Sequence, residues 1–230
     1  MRREHLSSTR VLPDIPFAED CIFYAPLTQG DLTDHISSNT LTVLSPATCT
    51  WDSSKNMYYF NAYNMGGWNT KFRWSGLDLG IVSDPNNVSN LHYTVYWEGI
   101  FDKASSNYPS QGLYPSRFMP SVSYVEARNR YVYSGYFGTT ENLNVVLGEY
   151  ERIVIVVDGS LMYWYKNGTY VYSGAHTPSR GGLSYSILNT NVCMYYTYKS
   201  TSDYFFDGAN YYKDIRVYNR SLSASEIAQL

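Results

Sequence analysis

The sequence predicts an all-β protein: an antiparallel β-sandwich of the jelly-roll type with one short helix at its C-terminal end. Three observations favour this fold class. Short runs rich in β-branched and aromatic residues recur along the chain, with turn residues between them. The chain contains 25 tyrosines, and tyrosine favours strands. Helical spacing is confined to the C-terminal end, which argues against an alternating α/β fold.

The predicted strands follow one another with short polar connections. The longest, Leu91 to Phe101, puts Tyr93, Val95 and Trp97 on one face, because side chains alternate along a strand. The full set of predicted strands is 20–27, 40–47, 57–62, 91–101, 122–127, 130–137, 152–157, 161–165, 169–172, 184–188, 192–199 and 211–218. Many short strands without intervening helices are typical of a sandwich.

Two dipeptides predict tight turns between strands. Asn167-Gly168 separates strands 161–165 and 169–172, and Asp158-Gly159 precedes them. A two-residue type I′ turn needs positive φ at both central residues, which Asn-Gly tolerates well. These residues therefore predict consecutive hairpins in the second half of the chain.

The segment 223–230 predicts the helix. Ser223 is followed three residues later by Glu226, the spacing of a capping box, and Ile227 and Leu230 have helical spacing. We expect this helix to pack on a sheet.

The length of 230 residues suits one large sandwich. Residues 1–16 are polar and end in two prolines, Pro13 and Pro16, which predicts an N-terminal arm. Residues 17–230 contain no segment that resembles a linker. They are therefore predicted to form a single domain.

Charge and hydropathy exclude two classes of partner. Charged residues make up 16% of the chain and the net charge is -3, so a basic surface for nucleic acid is not expected. No apolar stretch approaches the length of a membrane span, and the start of the chain lacks the apolar core of a signal peptide. We therefore expect a protein made in the cytoplasm and not inserted into a membrane.

The three cysteines, Cys21, Cys49 and Cys193, are widely spaced and odd in number. Neither a CxxC motif nor a Cys/His cluster is present, which disfavours a zinc site. We expect reduced thiols with structural roles.

The C-terminal sequence YFFDGANYYKDIRVYNRSLSASEIAQL resembles the closing segment of laminin-G-like domains of the concanavalin A-like lectin/glucanase superfamily. Two weaker matches precede it in the family's order: IFYAPLTQGDLTDHISSN resembles the opening strand and acidic loop, and ERIVIVVDGSLMYWYKNGTYVYSG the central hairpin. The spacing between Gly208 and Asp214 is about two residues longer than in the family. The matching positions at the C-terminus are Phe206, Gly208, Asp214, Arg216, Tyr218, Asn219, Arg220, Leu222, Ser223 and Glu226.

The resemblance implies a sandwich, and it leaves catalysis unsupported. Glycoside hydrolases of this superfamily carry a strand with paired carboxylates, which flank the glycosidic bond, and that pattern is absent here. The nearest pair, Glu149 and Glu151, is interpreted as solvated charges at a strand edge. Glu98 and Asp102 are about 13 Å apart on an extended strand, too far for paired catalysis.

The resemblance also suggests calcium, which many members hold through loop carboxylates and carbonyls. Asp31 and Asp34 follow the first predicted strand and are the candidate ligands. The alternative is that they stabilise the loop as Asx turns.

Carbohydrate binding needs exposed aromatic faces beside polar groups, because sugars stack on rings and hydrogen-bond through hydroxyls. Two aromatic loops offer both, YNMGGWNTKFRWSGLD and NYPSQGLYPSRF. The alternative is that one or both tryptophans belong to the core. The candidate sugar-binding residues are Trp68, Trp74, Asn69, Arg73, Tyr108 and Tyr114.

Three functions remain in consideration. The first is a non-enzymatic carbohydrate-recognition module. The second is a bacteriophage virion protein, either a decoration, fibre or attachment protein that meets host glycans or a purely structural subunit; a homo-oligomer such as a trimer would fit this role. A glycoside hydrolase is the least favoured.

Overall fold

A computed structural model describes residues 13–61, 72–75, 92–104, 113–114, 121–125, 130–134, 148–175, 191–194 and 208–230. These residues form antiparallel strands and one short helix, α1 (Ala224–Ile227). The all-β prediction is confirmed. The strands are β1 (Cys21–Ala25), β2 (Thr42–Val43), β3 (Thr48–Asp52), β4 (Met57–Asn61), β5 (Phe72–Ser75), β6 (His92–Ala104), β7 (Leu113–Tyr114), β8 (Ser121–Val125), β9 (Arg130–Ser134), β10 (Tyr150–Asp158), β11 (Leu161–Lys166), β12 (Thr169–Ala175), β13 (Asn191–Met194) and β14 (Gly208–Tyr218).

The large sheet has the strand order β12-β11-β10-β6-β14-β4-β3. Strand β1 pairs with the C-terminal half of β14, whereas β4 pairs with the N-terminal half of the same edge. Strands β6 and β14 therefore form the middle of the sheet. Their Val, Ile, Tyr and Trp residues are typical of strands that pack on a core.

The small sheet has the strand order β2-β5-β13-β7. Its strands come from distant parts of the chain, because β5 pairs with both β2 and β13. Strands β8 and β9 form a separate two-stranded ladder.

The two sheets meet through aromatic side chains, which form the core of the sandwich. Trp74 of β5 packs edge-on against Phe23 of β1, with ring centroids 5.2 Å apart. Phe72 of β5 packs edge-on against Phe60 of β4 at 5.1 Å. All four side chains are fully buried.

The inner face of the large sheet completes this core in the alternation that the sequence predicts. Tyr93, Val95 and Trp97 of β6 are all buried on the core side. Tyr96, from the same strand, packs in a second cluster on the outer face.

The predicted turn at Asn167-Gly168 is confirmed, with φ of 50° at Asn167 and 78° at Gly168. The Asn167 side chain also accepts a hydrogen bond from the Arg152 N–H at 2.8 Å, which ties the turn to strand β10. Gly159 has φ of 62° in the preceding turn. Positive φ at these positions explains the sequence of both turns.

The region 40–52 differs from the prediction. A single strand was expected over 40–47, but only Thr42–Val43 is extended there, and an additional strand, Thr48–Asp52, pairs with β4. Pro46 explains the break, because proline has no N–H to donate to a strand ladder.

Helix α1 is shorter than predicted but begins as expected. Ser223 caps it, and both halves of the Ser223–Glu226 capping box are present. Leu222 and Ile227 are buried on the outer face of the large sheet, beside Tyr218 and Val156. Among the described residues, no helix has the length and apolar character needed to cross a membrane.

The two ends of the described chain are joined on this outer face. Arg220 donates to Asp20 at 2.6 Å and to Glu226 at 2.8 Å. The Tyr218 hydroxyl donates to the Pro16 carbonyl, and Ile15 packs against the same cluster as α1. Residues 13–16, the end of the predicted arm, therefore contact the sheet, whereas residues 1–12 lie outside the described residues.

We expect the Glu226 carboxylate to make the stability of the protein sensitive to acid. Hydrogen bonds from Arg220 and Ser223 lower the pKa of Glu226 from 4.5 to about 2. Because the pKa is lower in the folded state, this stabilisation is present above about pH 4.5 and disappears as the pH falls towards 2.

Urea unfolding of the wild type and Glu226→Gln from pH 7 to pH 2 measures this contribution. The variant should be less stable at pH 7, and the difference should shrink between pH 4.5 and 2. A difference that is constant with pH would contradict this assignment.

Candidate functional site

Asp34 holds the loop after β1 and is fully buried. Its Oδ1 accepts hydrogen bonds from the Tyr24 N–H at 2.8 Å and the Ile36 N–H at 3.1 Å. Its Oδ2 accepts from the Ser37 N–H at 2.9 Å and from the Ser37 hydroxyl. The carboxylate therefore fixes the loop to strand β1.

Asp31 makes an Asx turn in the same loop. Its Oδ1 accepts from the Thr33 N–H at 2.9 Å, and its Oδ2 lies 2.6 Å from Nε2 of His35. Burial alone would raise the pKa of Asp31, but the hydrogen bonds from His35 and Thr33 outweigh burial and lower it.

These two aspartates do not fit the calcium site that the family resemblance suggests. A calcium ion needs carboxylate oxygens that face the ion, whereas both Asp34 oxygens face N–H or O–H donors. Among the described residues, no group of three or more His, Cys, Asp or Glu side chains could hold a metal ion. The geometry therefore does not support calcium ligation by Asp31 and Asp34, and it agrees with the Asx-turn alternative for this loop.

Trp74 is a core residue, which is the alternative considered from the sequence, and its buried ring is not available for sugar stacking. Its side chain is fully buried, and its indole N–H donates to the Leu32 carbonyl at 2.8 Å. Arg73 stands between Phe72 and Trp74 in strand β5, and neighbouring residues of a strand belong to opposite faces of the sheet. The side chains of Arg73, Tyr114 and Asn191 lie outside the described residues.

The register of the small sheet brings two predicted sugar-binding residues into one row. Arg73 lies opposite Thr42 on one side and Cys193 on the other, and Cys193 lies opposite Tyr114. Directly opposite residues share a face. The strands of Arg73 and Tyr114 are two inter-strand spacings apart, about 10 Å.

The next row on this face is also polar, because Ser75 lies opposite Asn191. We treat these two neighbouring rows as one surface and call it the small-sheet outer row. It consists of Thr42, Arg73, Ser75, Tyr114, Asn191 and Cys193. The predicted residues Trp68, Asn69 and Tyr108 lie outside the described residues.

The carboxylate pairs considered from the sequence, Glu149/Glu151 and Glu98/Asp102, do not have the arrangement of a glycoside hydrolase pair. Glu151 is 2% exposed, and the Lys166 ammonium donates to its Oε1 at 3.0 Å, so the interpretation of Glu151 as a solvated edge charge is wrong. Glu149 is exposed in the bend before β10. Glu98 accepts from the Tyr96 hydroxyl at 3.0 Å, and Asp102 accepts from the Tyr59 hydroxyl at 3.0 Å.

Ser221, His92 and Asp158 lie together but lack the arrangement of a nucleophilic triad. Nδ1 of His92 lies 2.7 Å from Asp158 and 3.5 Å from Ser221, so both groups meet the same ring nitrogen. A triad needs the serine on one nitrogen and the carboxylate on the other. The Ser221 hydroxyl instead donates to the Val157 carbonyl at 2.7 Å.

Two cysteines have the structural character that was expected. Cys21 is buried, and its thiol donates to the Phe23 carbonyl at 3.1 Å. Burial raises the pKa of the Cys49 thiol to about 12, so it stays protonated at neutral pH. The side chain of Cys193 lies outside the described residues.

Sequence reasoning missed a second aromatic surface, on the outer face of the large sheet. We call it the Tyr59–Tyr211 surface; it consists of Asp52, Lys55, Tyr59, Asp102 and Tyr211. The two rings lie on opposite residues of β4 and β14, with centroids 4.6 Å apart and planes 38° apart. Two Tyr-Tyr dipeptides could have revealed it, because in each strand one tyrosine faces the core and its neighbour faces outward.

The Laminin_G_3 family model, the concanavalin A-like lectin/glucanases superfamily, matches residues 90–228, more than half of the chain. No curated protein sequence matches the chain. The family match covers β6 to α1, the part that contains the middle of the large sheet.

Several solved structures share the fold at low sequence identity. Trypanosoma rangeli sialidase is 15% identical with a TM-score of 0.59, over 98% of this chain and 36% of the sialidase. Domain 4 of AbnA, a GH43 extracellular arabinanase from Geobacillus stearothermophilus solved with arabinotriose, is 15% identical with a TM-score of 0.55, over 91% of this chain and 97% of the domain.

Botulinum neurotoxin type C, whose cell entry depends on interaction with two ganglioside molecules, is 12% identical with a TM-score of 0.60, over 91% of this chain and 50% of that chain. This chain thus spans about a third of the sialidase and half of the toxin structure. At these identities the likeness shows the fold alone. The same fold occurs in enzymes and in binding domains, so it does not assign an activity.

We expect Asp34→Ala to destabilise the protein by about 3 kcal/mol, because it removes the acceptor of several buried donors. The matched control is Asp31→Ala, which should cost about 1 kcal/mol or less, since Asp31 is partly exposed.

Urea unfolding with and without calcium tests both points. Added calcium should not change the midpoint of the wild type. A calcium-dependent rise that Asp34→Ala abolishes would restore the metal site.

Proposed function

Because the chain belongs to the Laminin_G_3 family of the concanavalin A-like lectin/glucanase superfamily, we propose that it is a non-enzymatic module that binds carbohydrate. The observation that carries the proposal is the small-sheet outer row. It combines a guanidinium residue, a tyrosine, and hydroxyl and amide residues on one face. These residue types supply the hydrogen bonds and the apolar face that sugars require.

The ligands of two fold neighbours support this proposal. One was solved with arabinotriose, and another concerns interaction with gangliosides, so the fold accommodates glycan ligands in other proteins. Three described residues support a non-catalytic role. Glu151 is bound by Lys166, and the Ser221 hydroxyl donates to a backbone carbonyl. The Cys49 thiol is protonated at neutral pH.

A glycan array tests the proposal. We expect the wild type to bind a subset of printed glycans, and Arg73→Ala and Tyr114→Ala each to lower the affinity about tenfold, as loss of an anchoring side chain does. Tyr170→Ala is the matched control, because Tyr170 is an exposed tyrosine of the large sheet, 52% accessible.

An array on which the wild type binds no glycan would rule out the proposal. Release of reducing sugar that is lost in Glu149→Gln or Glu151→Gln would establish a hydrolase instead. Equal loss in Tyr170→Ala would assign the effect to folding and reject the small-sheet outer row.

We further propose that the module serves a bacteriophage virion as a decoration, fibre or attachment protein. Its composition is rich in Tyr, Ser, Asn and Gly, the residues of adaptable binding surfaces, and its polar N-terminal residues would be suited to docking a neighbour. A closed homo-oligomer such as a trimer is expected in this role.

Co-purification with capsid or tail proteins and light scattering test the virion role. A monomer that binds glycans and associates with no virion protein would overturn it. Virion association without glycan binding would leave only a structural subunit.

A further inference from the structure

We propose that the Tyr59–Tyr211 surface is a second saccharide-binding surface, and that it selects neutral sugars over sialylated or uronic ones. This inference rests on the proposed function and adds a site and a ligand class to it. The surface lies on the large sheet, whereas the small-sheet outer row lies on the other layer of the sandwich.

The aromatic part of the surface is a cross-strand pair. Tyr58, Phe60 and Tyr212 face the core, so their neighbours Tyr59 and Tyr211 face outward, and both are half-buried. A tilted pair of rings presents a broad apolar surface on which the C–H face of a sugar can stack. Its partial burial keeps the rings in place without a ligand.

The polar part of the surface surrounds the rings with fixed acceptors. The Tyr59 hydroxyl donates to Oδ2 of Asp102 at 3.0 Å. Burial, and then the nearby Asp52 carboxylate, raise the pKa of Tyr211. Asp52 is held in turn by the Ser54 N–H at 2.9 Å and the Ser54 hydroxyl at 2.6 Å. Carboxylates in fixed positions can accept hydrogen bonds from sugar hydroxyls.

A β-bulge directs Asp102 to this position. Asn210 pairs with Phe101 and Ala209 with Lys103, so Asp102 is the extra residue in β6. Its N–H donates to Oδ1 of the fully buried Asn210 at 3.2 Å. Bulges re-aim side chains and are common beside functional sites. A buried amide that supports this bulge is a specific arrangement for placing one carboxylate.

The charge of the surface decides the class of ligand. The Lys55 ammonium lies 5.0 Å from the centre of the Tyr211 ring and 3.9 Å from Asp52. Among the side chains that the structure describes, the surface thus combines two carboxylates, Asp52 and Asp102, with one ammonium. An anionic sugar would meet a net negative surface, and like charges in contact disfavour binding. A neutral sugar can use the carboxylates as acceptors and Lys55 as a donor.

The test uses Arg73→Ala/Tyr114→Ala as its background, so that the small-sheet outer row no longer contributes. The background protein, and the same protein with Tyr211→Ala or Asp102→Asn added, are applied to an array of matched neutral and sialylated oligosaccharides. We expect the background to bind neutral oligosaccharides at least tenfold better than sialylated ones. Tyr211→Ala should lower this binding about tenfold.

Two controls separate binding from folding. Tyr211→Phe keeps the ring and should retain binding, and Tyr170→Ala should leave it unchanged. Thermal unfolding must show that each variant is folded. If Tyr211→Ala is not, Asp102→Asn takes its place, because it removes the negative charge of a fixed acceptor and should also lower binding.

Each outcome decides a different claim. If the wild type binds glycans and the background protein binds none, this inference fails and the proposed function stands. The inference also fails, and the proposed function still stands, in two further cases. In the first, the background protein binds glycans and neither Tyr211→Ala nor Asp102→Asn changes that binding. In the second, the background protein prefers sialylated glycans. A wild type that binds no glycan overturns the proposed function itself.

Discussion

Edge-to-face packing of aromatic rings joins the two sheets of the sandwich. Phe72 and Trp74 of the small sheet pack against Phe60 and Phe23 of the large sheet, and all four are fully buried. Burying such rings dominates core energetics, and truncating one costs about 3–5 kcal/mol. Because strands alternate, this packing also determines which residues of β5 face outward. The position of Arg73 is therefore a consequence of the core.

Irregularities in the middle of the large sheet have a comparable influence on its outer face. Gly99 of β6 faces Tyr212 of β14 at a register shift, and a Cβ atom on Gly99 would lie 1.9 Å from the Tyr211 carbonyl oxygen. Only glycine permits this close approach. The shift makes Lys213 the extra residue of β14. After it, the side chains of Ile215 and Val217 face the core. A second shift leaves Asp102 as the extra residue of β6. Two bulges thus flank the outward-facing Tyr211.

The sequence predicted the functional residues less well than the strands, for reasons that differ from residue to residue. Asp34 is an acidic residue in a loop, as a calcium ligand would be, but its oxygens accept hydrogen bonds from backbone N–H groups. The orientation of its carboxylate is defined only in the folded loop. Trp74 lies in a glycine-rich, polar segment, yet its ring fills the core between the sheets. Glu151 lies near the start of a strand, like a solvated charge, but it is buried, and strand β11 brings the partly exposed Lys166 to it. In each case a residue distant in sequence, or the local backbone direction, decided the role.

The all-β class, the Asn167-Gly168 hairpin, the Ser223 cap and the membership in a lectin-like superfamily could be predicted from the amino-acid sequence. These features depend on local periodicity, turn conformation and short motifs, which neighbouring residues specify. Which residues share a surface, in contrast, depends on how distant strands pair in the folded chain. Arg73 and Tyr114 lie on β5 and β7, which do not pair with each other and are aligned through β13, whereas Tyr59 and Tyr211 come from opposite ends of the chain. Strand register sets such long-range pairs, and a shift of one residue would turn each side chain to the other face of its sheet.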